Sequence, residues 1–188
     1  MPRAGLDADA VIACGAQILD DHGDAELSLA LVASRLGVKA PSLYKHVEGL
    51  PGLRRGIALR AKGELEDVLG RATRGRSGPD AIVGIATAYR SWARAHPGRY
   101  GLTVRAPAPG DAEDEAVSAA LAHVVYDALS AYGLEGEDAV DATRFLRSTL
   151  HGFVALEAAG AFALSVDLDR SFERMVGNIT RALAAWRA

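Results

Sequence analysis

The sequence predicts an all-α fold, with a three-helix N-terminal head that carries a helix-turn-helix and a longer helical domain behind it. Three observations predict it. Of the 188 residues, 49% are apolar and only 6% aromatic, Ala is abundant and β-branched runs are scarce, a composition that favours helices. Apolar residues recur at three- and four-residue spacing through most of the chain. Between Leu27 and Val47, in LSLALVASRLGVKAPSLYKHV, two short apolar-faced segments meet at a glycine.

Taken in order, Met1 to Leu6 is a loose arm. Its Arg3 either reaches a DNA phosphate or minor groove or belongs to a tail without a role. Asp7 to His22 is the first helix. Asp7 or Asp9 caps it, Val11, Ile12, Ala16 and Leu19 form its buried stripe, and Gly23 ends it. Cys14, the single cysteine, cannot form an intramolecular disulfide and reads as a small buried hydrophobe. Asp20, Asp21 and Asp24 cluster where this helix ends and read as solvated turn acids rather than a metal site.

Ser28 is a good N-cap for the next helix, on which Leu29, Val32, Ala33 and Leu36 make one apolar face. Gly37 closes it in a left-handed turn, and Val38 folds back onto its end. Pro41 suits the first turn of a second helix, from about Ala40 to His46, because its missing N–H would be unpaired there. Ala33 lets the two helices cross closely, Gly37 turns the chain, and Leu43 with Val47 fills the gap between them. This is the internal logic of a helix-turn-helix, whose second helix enters the major groove of DNA. Lys39, Ser42, Tyr44, Lys45 and His46 remain on the outer face; all donate hydrogen bonds and none is acidic. The spacing also fits an ordinary core helix pair, and the donor-rich outer face favours DNA.

Glu48 and Gly49 form a turn, and Pro51 starts a long helix to about Thr73 with Leu53, Ile57, Ala61, Leu65 and Leu69 on one face. Arg71 to Pro79, RATRGRSGP, breaks the chain as a surface loop. Helices follow over Asp80–Ala95, Pro97 to about Val104, about Glu113–Tyr132, Glu137–Gly160 and Leu168–Trp186, with the acid- and Pro-rich loop Arg105–Glu115 between the second and third. The last two carry wide apolar faces, with Phe145, Leu146, Leu150 and Phe153 on one and Phe172, Val176, Ile179 and Leu183 on the other. Such faces suit pairing with a second copy as a four-helix bundle. The domain boundaries that follow are 1–50 for the helix-turn-helix domain, 51–73 for a connecting helix and 74–188 for the C-terminal helical domain.

Charge is unevenly placed. The whole chain carries −3, yet residues 27–62 hold seven Lys or Arg against one acid, a net of +6, while residues 1–26 hold a net of −5. Local positive charge on the helix-turn-helix matters more for phosphate binding than the total. No stretch of ~18 apolar residues spans a membrane, and no basic-then-apolar leader precedes the chain, so a cytoplasmic protein is expected. Gly-x-Ser-x-Gly, the phosphate-loop pattern and His-Glu-x-x-His are all missing, so neither an enzyme site, a cofactor nor a metal is expected.

The run GVKAPSLYKHVEGLPGLRRGI resembles the DNA-binding segment of the TetR family of transcriptional regulators, whose members carry a Gly-Val-x-x-x-Ser-Leu-Tyr-x-His-Phe-like motif. Here it stands as Gly37, Val38, Ser42, Leu43, Tyr44, His46 and Val47, and the likeness covers about residues 8 to 62. The family's usual phosphate-binding Lys at the start of the next helix is replaced by Leu50, and Arg54 or Arg55 takes its place. Leu146 to Phe162 resembles a TetR subgroup with a His-Gly pair, here His151-Gly152, although Arg147 stands where that subgroup often has Trp. Gly152 inside a helix makes sense where another helix crosses closely.

The resemblance implies a homodimer joined through the last two helices, a double-stranded DNA operator, an unidentified small-molecule effector held among the C-terminal helices, and a connecting helix that acts as a lever. Ser28, Tyr44 and His46 are assigned to phosphates. Lys39, Pro41, Ser42 and Lys45 are assigned to base edges, with Ala40 in the same segment. The effector cavity would be lined by Tyr89, Trp92, Tyr100, His123, Tyr126, Phe145 and His151. The expectation is a repressor released from a palindromic operator by its ligand; the alternative is a helical ligand-binding or hydrolytic protein without specific DNA binding.

Overall fold

A computed structural model describes residues 6–186, and Arg3, assigned above to an N-terminal arm, lies outside them. The described chain is helical without strands: α1 (Ala8–His22), α2 (Leu29–Leu36), a 3₁₀-helix (Ala40–Lys45), α3 (Gly49–Thr73), α4 (Gly78–Ala95), α5 (Pro97–Thr103), α6 (Ala112–Ser130), α7 (Gly136–Ala158) and α8 (Leu168–Ala184). A further 3₁₀ turn, Asp24–Glu26, joins α1 to α2. Several boundaries differ from expectation, with the last two helices ending at Ala158 and Ala184 rather than Gly160 and Trp186. The long helix begins at Gly49, with Pro51 inside its first turn, and the break after it shrinks to residues 74–77.

The chain divides into two compact units. The first gathers residues up to 63 together with 96–117, and the second residues 64–95 with 118 onward. The first unit closes around Val11, Ile18, Val32, Leu43, Leu53 and Ile57, all without solvent exposure. Its close α1–α3 crossing depends on two glycines: a Cβ at Gly15 would meet Leu53 and Ile57 at 3.0 Å, and one at Gly56 would meet Ile12 at 2.6 Å. Also in this unit, α5 packs on the end of α1.

In the second unit α4 packs against α7 and α8. Ile82, Ile85, Ala86 and Ala93 of α4 are buried, as are Ala142, Leu146, Leu150 and Val154 of α7 and Phe172, Val176, Ile179 and Leu183 of α8. Arg90 of α4 ties the three helices. Its guanidinium donates to both oxygens of Glu157 at 2.6 and 2.8 Å, pairs with Asp169 at 2.8 Å and lies 4.7 Å over the Phe172 ring. That charge-assisted contact holds the Glu157 carboxyl below its usual range.

Candidate nucleic-acid interface

The turn that presents the recognition segment is built from backbone hydrogen bonds. Leu31 N–H donates to Ser28 Oγ at 3.2 Å and opens α2. At its other end Gly37 adopts φ 66°, Gly37 N–H donates to Ser34 O at 3.2 Å and Val38 N–H to Ala33 O at 3.0 Å, the two bonds of a Schellman motif. A left-handed residue is required there, which is why glycine stands at the turn.

The second helix expected from about Ala40 to His46 is a 3₁₀-helix over Ala40–Lys45. Ser42 N–H donates to Lys39 O at 2.9 Å, and His46 N–H to Leu43 O at 2.9 Å. Leu43 is fully buried and Val47 nearly so, anchoring the segment to α2 and the head core. Tyr44 is 64% exposed, so its ring lies outside the core and free to meet a ligand. Lys39, Pro41 and Lys45 are exposed; Ala40, Ser42 and His46 are half-buried. Seven of the eight residues assigned to DNA therefore lie on or beside the 3₁₀-helix, and Ser28 lies at the start of α2, at the other end of that helix from the turn.

Most of the head's positive charge is spent within the fold. Arg35 pairs with Asp21 at 3.0 Å, Arg54 with Asp24 at 2.5 Å, Arg60 with Asp9 at 2.7 Å and Lys62 with Asp114 at 2.5 Å. Arg55 makes a two-pronged contact with Asp111 at 2.6 Å and reaches Glu113 at 2.8 Å. Through Arg55, and then the Asp114 N–H, the Asp111 carboxyl is held down at about 2. Both arginines considered as substitutes for the missing phosphate-binding Lys are thus already paired with carboxylates. Lys39 and Lys45 have no such partner among the described residues.

Of the three carboxylates at the end of α1, Asp21 and Asp24 are exposed as expected, and Asp20 is not. The Asp20 side chain is only 7% exposed and accepts from Gly98 N–H at 3.1 Å, Arg99 N–H at 3.0 Å and Arg99 Nε at 2.7 Å. It caps α5 from a neighbouring helix. Asp21 accepts from Gln17 at 2.8 Å and from Arg35, and both contacts hold its carboxyl below the usual range. The residues that fasten α5 to the head, Asp20 and Arg99, escape sequence reasoning because they lie 79 positions apart. The one hint is Gly98, a glycine directly after the helix-starting Pro97, which marks a close backbone approach.

The seven residues assigned to an effector site are distributed over both units. Tyr89 and Trp92 are buried on α4, and Tyr100 is buried on α5 in the first unit. His123 and Tyr126 meet edge to face at 6.1 Å, with His123 exposed and Tyr126 half-buried on α6. His151 is half-buried on α7. Phe145 packs on Trp186 at 5.7 Å and lines an open groove of about 530 Å³ between α7 and α8, shared with Thr149, Met175 and Ile179.

This all-helical scaffold with an outward-facing helix-turn-helix defines a DNA-binding transcriptional regulator. The chain belongs to the TetR family: residues 82–179 match the family model described as "Tetracyclin repressor-like, C-terminal domain". It is 40% identical to the HTH-type transcriptional regulator Rv0681 of Mycobacterium tuberculosis, over 92% of this chain and 79% of that one. It is 34% identical to the HTH-type regulator YobS of Bacillus subtilis, over 89% of this chain and 87% of that one. Among solved structures, TetR-Q116A of Acinetobacter baumannii in complex with minocycline shares the fold, with a TM-score of 0.74 at 20% identity over 98% of this chain and 99% of that chain. ActR of Streptomyces coelicolor in complex with (S)-DNPA does so with a TM-score of 0.68 at 19% identity, over 98% of this chain and the whole of that one. Both relatives are named as transcriptional regulators, which stands against a helical ligand-binding or hydrolytic protein without DNA binding. Among the described residues no helix is long and apolar enough to cross a membrane.

Proposed function

We propose that this regulator is a cytoplasmic homodimer that represses transcription from a palindromic operator and is released from it by a small-molecule effector. The observation that carries the DNA assignment is the recognition segment itself: an anchored turn that leaves Lys39 and Lys45 without ion pairs among the described residues and Tyr44 64% exposed. Ser28, Tyr44 and His46 contact phosphates, and Lys39, Pro41, Ser42 and Lys45, with Ala40 beside them, meet base edges. Two heads related by a two-fold read half-sites whose centres lie ~34–36 Å, or a multiple, apart.

In this reading residues 1–50 read DNA, 51–73 connect, and 74–188 hold the effector and the partner subunit. Dimerisation runs through α7 and α8, whose open apolar groove supports pairing of these helices across the two-fold. Effector control is supported by the family membership and by the ligand complexes of the two structural neighbours. Tyr89, Trp92, Tyr100, His123, Tyr126, Phe145 and His151 remain the proposed lining residues.

The test is a gel shift against the DNA upstream of the protein's own gene, repeated across salt concentrations. Tight binding to one fragment, falling steeply as salt rises, is expected. Lys45→Ala and Tyr44→Ala are each expected to weaken it by roughly tenfold while leaving the helical circular dichroism unchanged. Wild-type affinity in either variant at physiological salt would remove that residue from the interface.

A further inference from the structure

The 3₁₀ geometry of the recognition segment has a chemical consequence. In a 3₁₀-helix three residues complete a turn, so residues i and i+3 eclipse one another. Ala40 and Leu43 form one row, and it is the buried one: Leu43 has no exposure and Ala40 packs on the same core. Pro41 and Tyr44 form a second row, open to solvent. Ser42 and Lys45 form the third, and Lys39, the extended N-cap residue, leads into it. In an α-helix, at 3.6 residues per turn, the two lysines would instead point about 120° apart. Here Ser42 and Lys45 share one row, and Lys39 enters it from the extended N-cap.

That row has a restricted vocabulary. From Lys39 to His46 the segment holds no Asp, Glu, Asn or Gln. It therefore lacks the carboxylate that accepts from cytosine N4 and the amide that reads adenine at N6 and N7. A lysine ammonium only donates, and guanine is the base whose major-groove edge offers two adjacent acceptors, O6 and N7. Both lysines are available for this, since Arg35, Arg54, Arg55, Arg60 and Lys62 are engaged by carboxylates of the same unit. From Lys39 to Lys45 the rise is about 12 Å at ~2 Å per residue, which matches three to four base-pair steps of ~3.4 Å.

We infer that Lys39 and Lys45 are specificity-determining residues that read two guanines about three to four base pairs apart in each operator half-site, with Ser42 between them. This rests on the proposed DNA-reading role of the segment and names the base chemistry it recognises. Pro41, in the adjacent exposed row, supplies apolar contact and no hydrogen-bond donor.

The experiment is selection from a random-sequence duplex pool by the full-length protein, run in parallel with Lys39→Ala, Lys45→Ala and Lys45→Arg. Wild-type protein is expected to enrich half-sites with guanines at that separation. Lys39→Ala should lose the preference at one of the two positions and Lys45→Ala at the other, each by roughly tenfold, while Lys45→Arg keeps both. Enrichment of sequences without the paired guanines would overturn the inference and leave the regulator reading standing. So would an equal loss of affinity for every sequence in both alanine variants, which would make the lysines phosphate contacts. No salt-dependent retention of any DNA by the wild-type protein would overturn the regulator reading and this assignment with it. Unchanged circular dichroism in each variant excludes unfolding as the cause, because both lysines are exposed.

Discussion

Gly98 is the position where a single atom matters most. A Cβ there would overlap the Leu19 carbonyl and lie 2.7 Å from the Asp20 N, and both are backbone atoms that cannot swing aside. The absence of a side chain lets α5 seat its first turn against the end of α1, where the Asp20 carboxylate receives the Gly98 and Arg99 N–H groups. Gly98→Ala forces those backbones apart at a cost of about 1–3 kcal/mol. At ~2–4 °C per kcal/mol for a chain of this size the melting temperature should fall by ~2–12 °C. Thermal denaturation followed by circular dichroism measures this, and an unshifted Tm would mean that α5 is not seated on α1.

Among the elements, α4, α7 and α8 are joined by one guanidinium. Arg90 offers a planar fork to Glu157, a third nitrogen to Asp169 and its flat face to Phe172. Lysine has the charge but neither the fork nor the face. Arg90→Lys should therefore cost about 2 kcal/mol or more, the scale of a lost charged hydrogen bond, read as a lower Tm. The direction of its pH dependence follows from Glu157, whose carboxyl is held below its usual value by Arg90. A carboxyl depressed in the folded state contributes stability above its unfolded pKa and loses it as pH falls through the folded one. The Tm deficit of the variant should thus be full at neutral pH and narrow in acid. A deficit independent of pH would assign the effect to packing on Phe172 alone.

For the whole molecule the open question is what meets the outer side of α7. Gly152 was expected to mark a close helix crossing, yet no neighbouring element of the described chain comes within 4 Å of where its Cβ would stand. Within one subunit, then, the glycine has no packing reason and costs the helix about 1 kcal/mol relative to Ala. In the proposed dimer the crossing helix belongs to the partner subunit. Gly152→Leu is expected to shift the protein toward monomer by at least tenfold in dissociation constant, measured by sedimentation, while the subunit stays folded. Unaltered self-association would place the dimer contact away from this part of α7.

Much of this protein was determined by its sequence alone. Ser28, Gly37, Pro41 and Gly23 mark their helix ends through local backbone chemistry, which acts over a few residues and is read directly from neighbours. The apolar periodicity of α7 and α8 likewise identifies their buried faces without reference to a partner. The tertiary structure decided what depends on residues far apart in the chain. It turned Asp20 from a surface acid into a helix cap, committed Arg54 and Arg55 to carboxylates 30 and 56 positions away, and left Lys39 and Lys45 without an ion pair among the described residues. It also wound the recognition segment as a 3₁₀-helix. A hydrogen-bond register that differs by one residue leaves no mark in composition or spacing, yet it decides which side chains share a face.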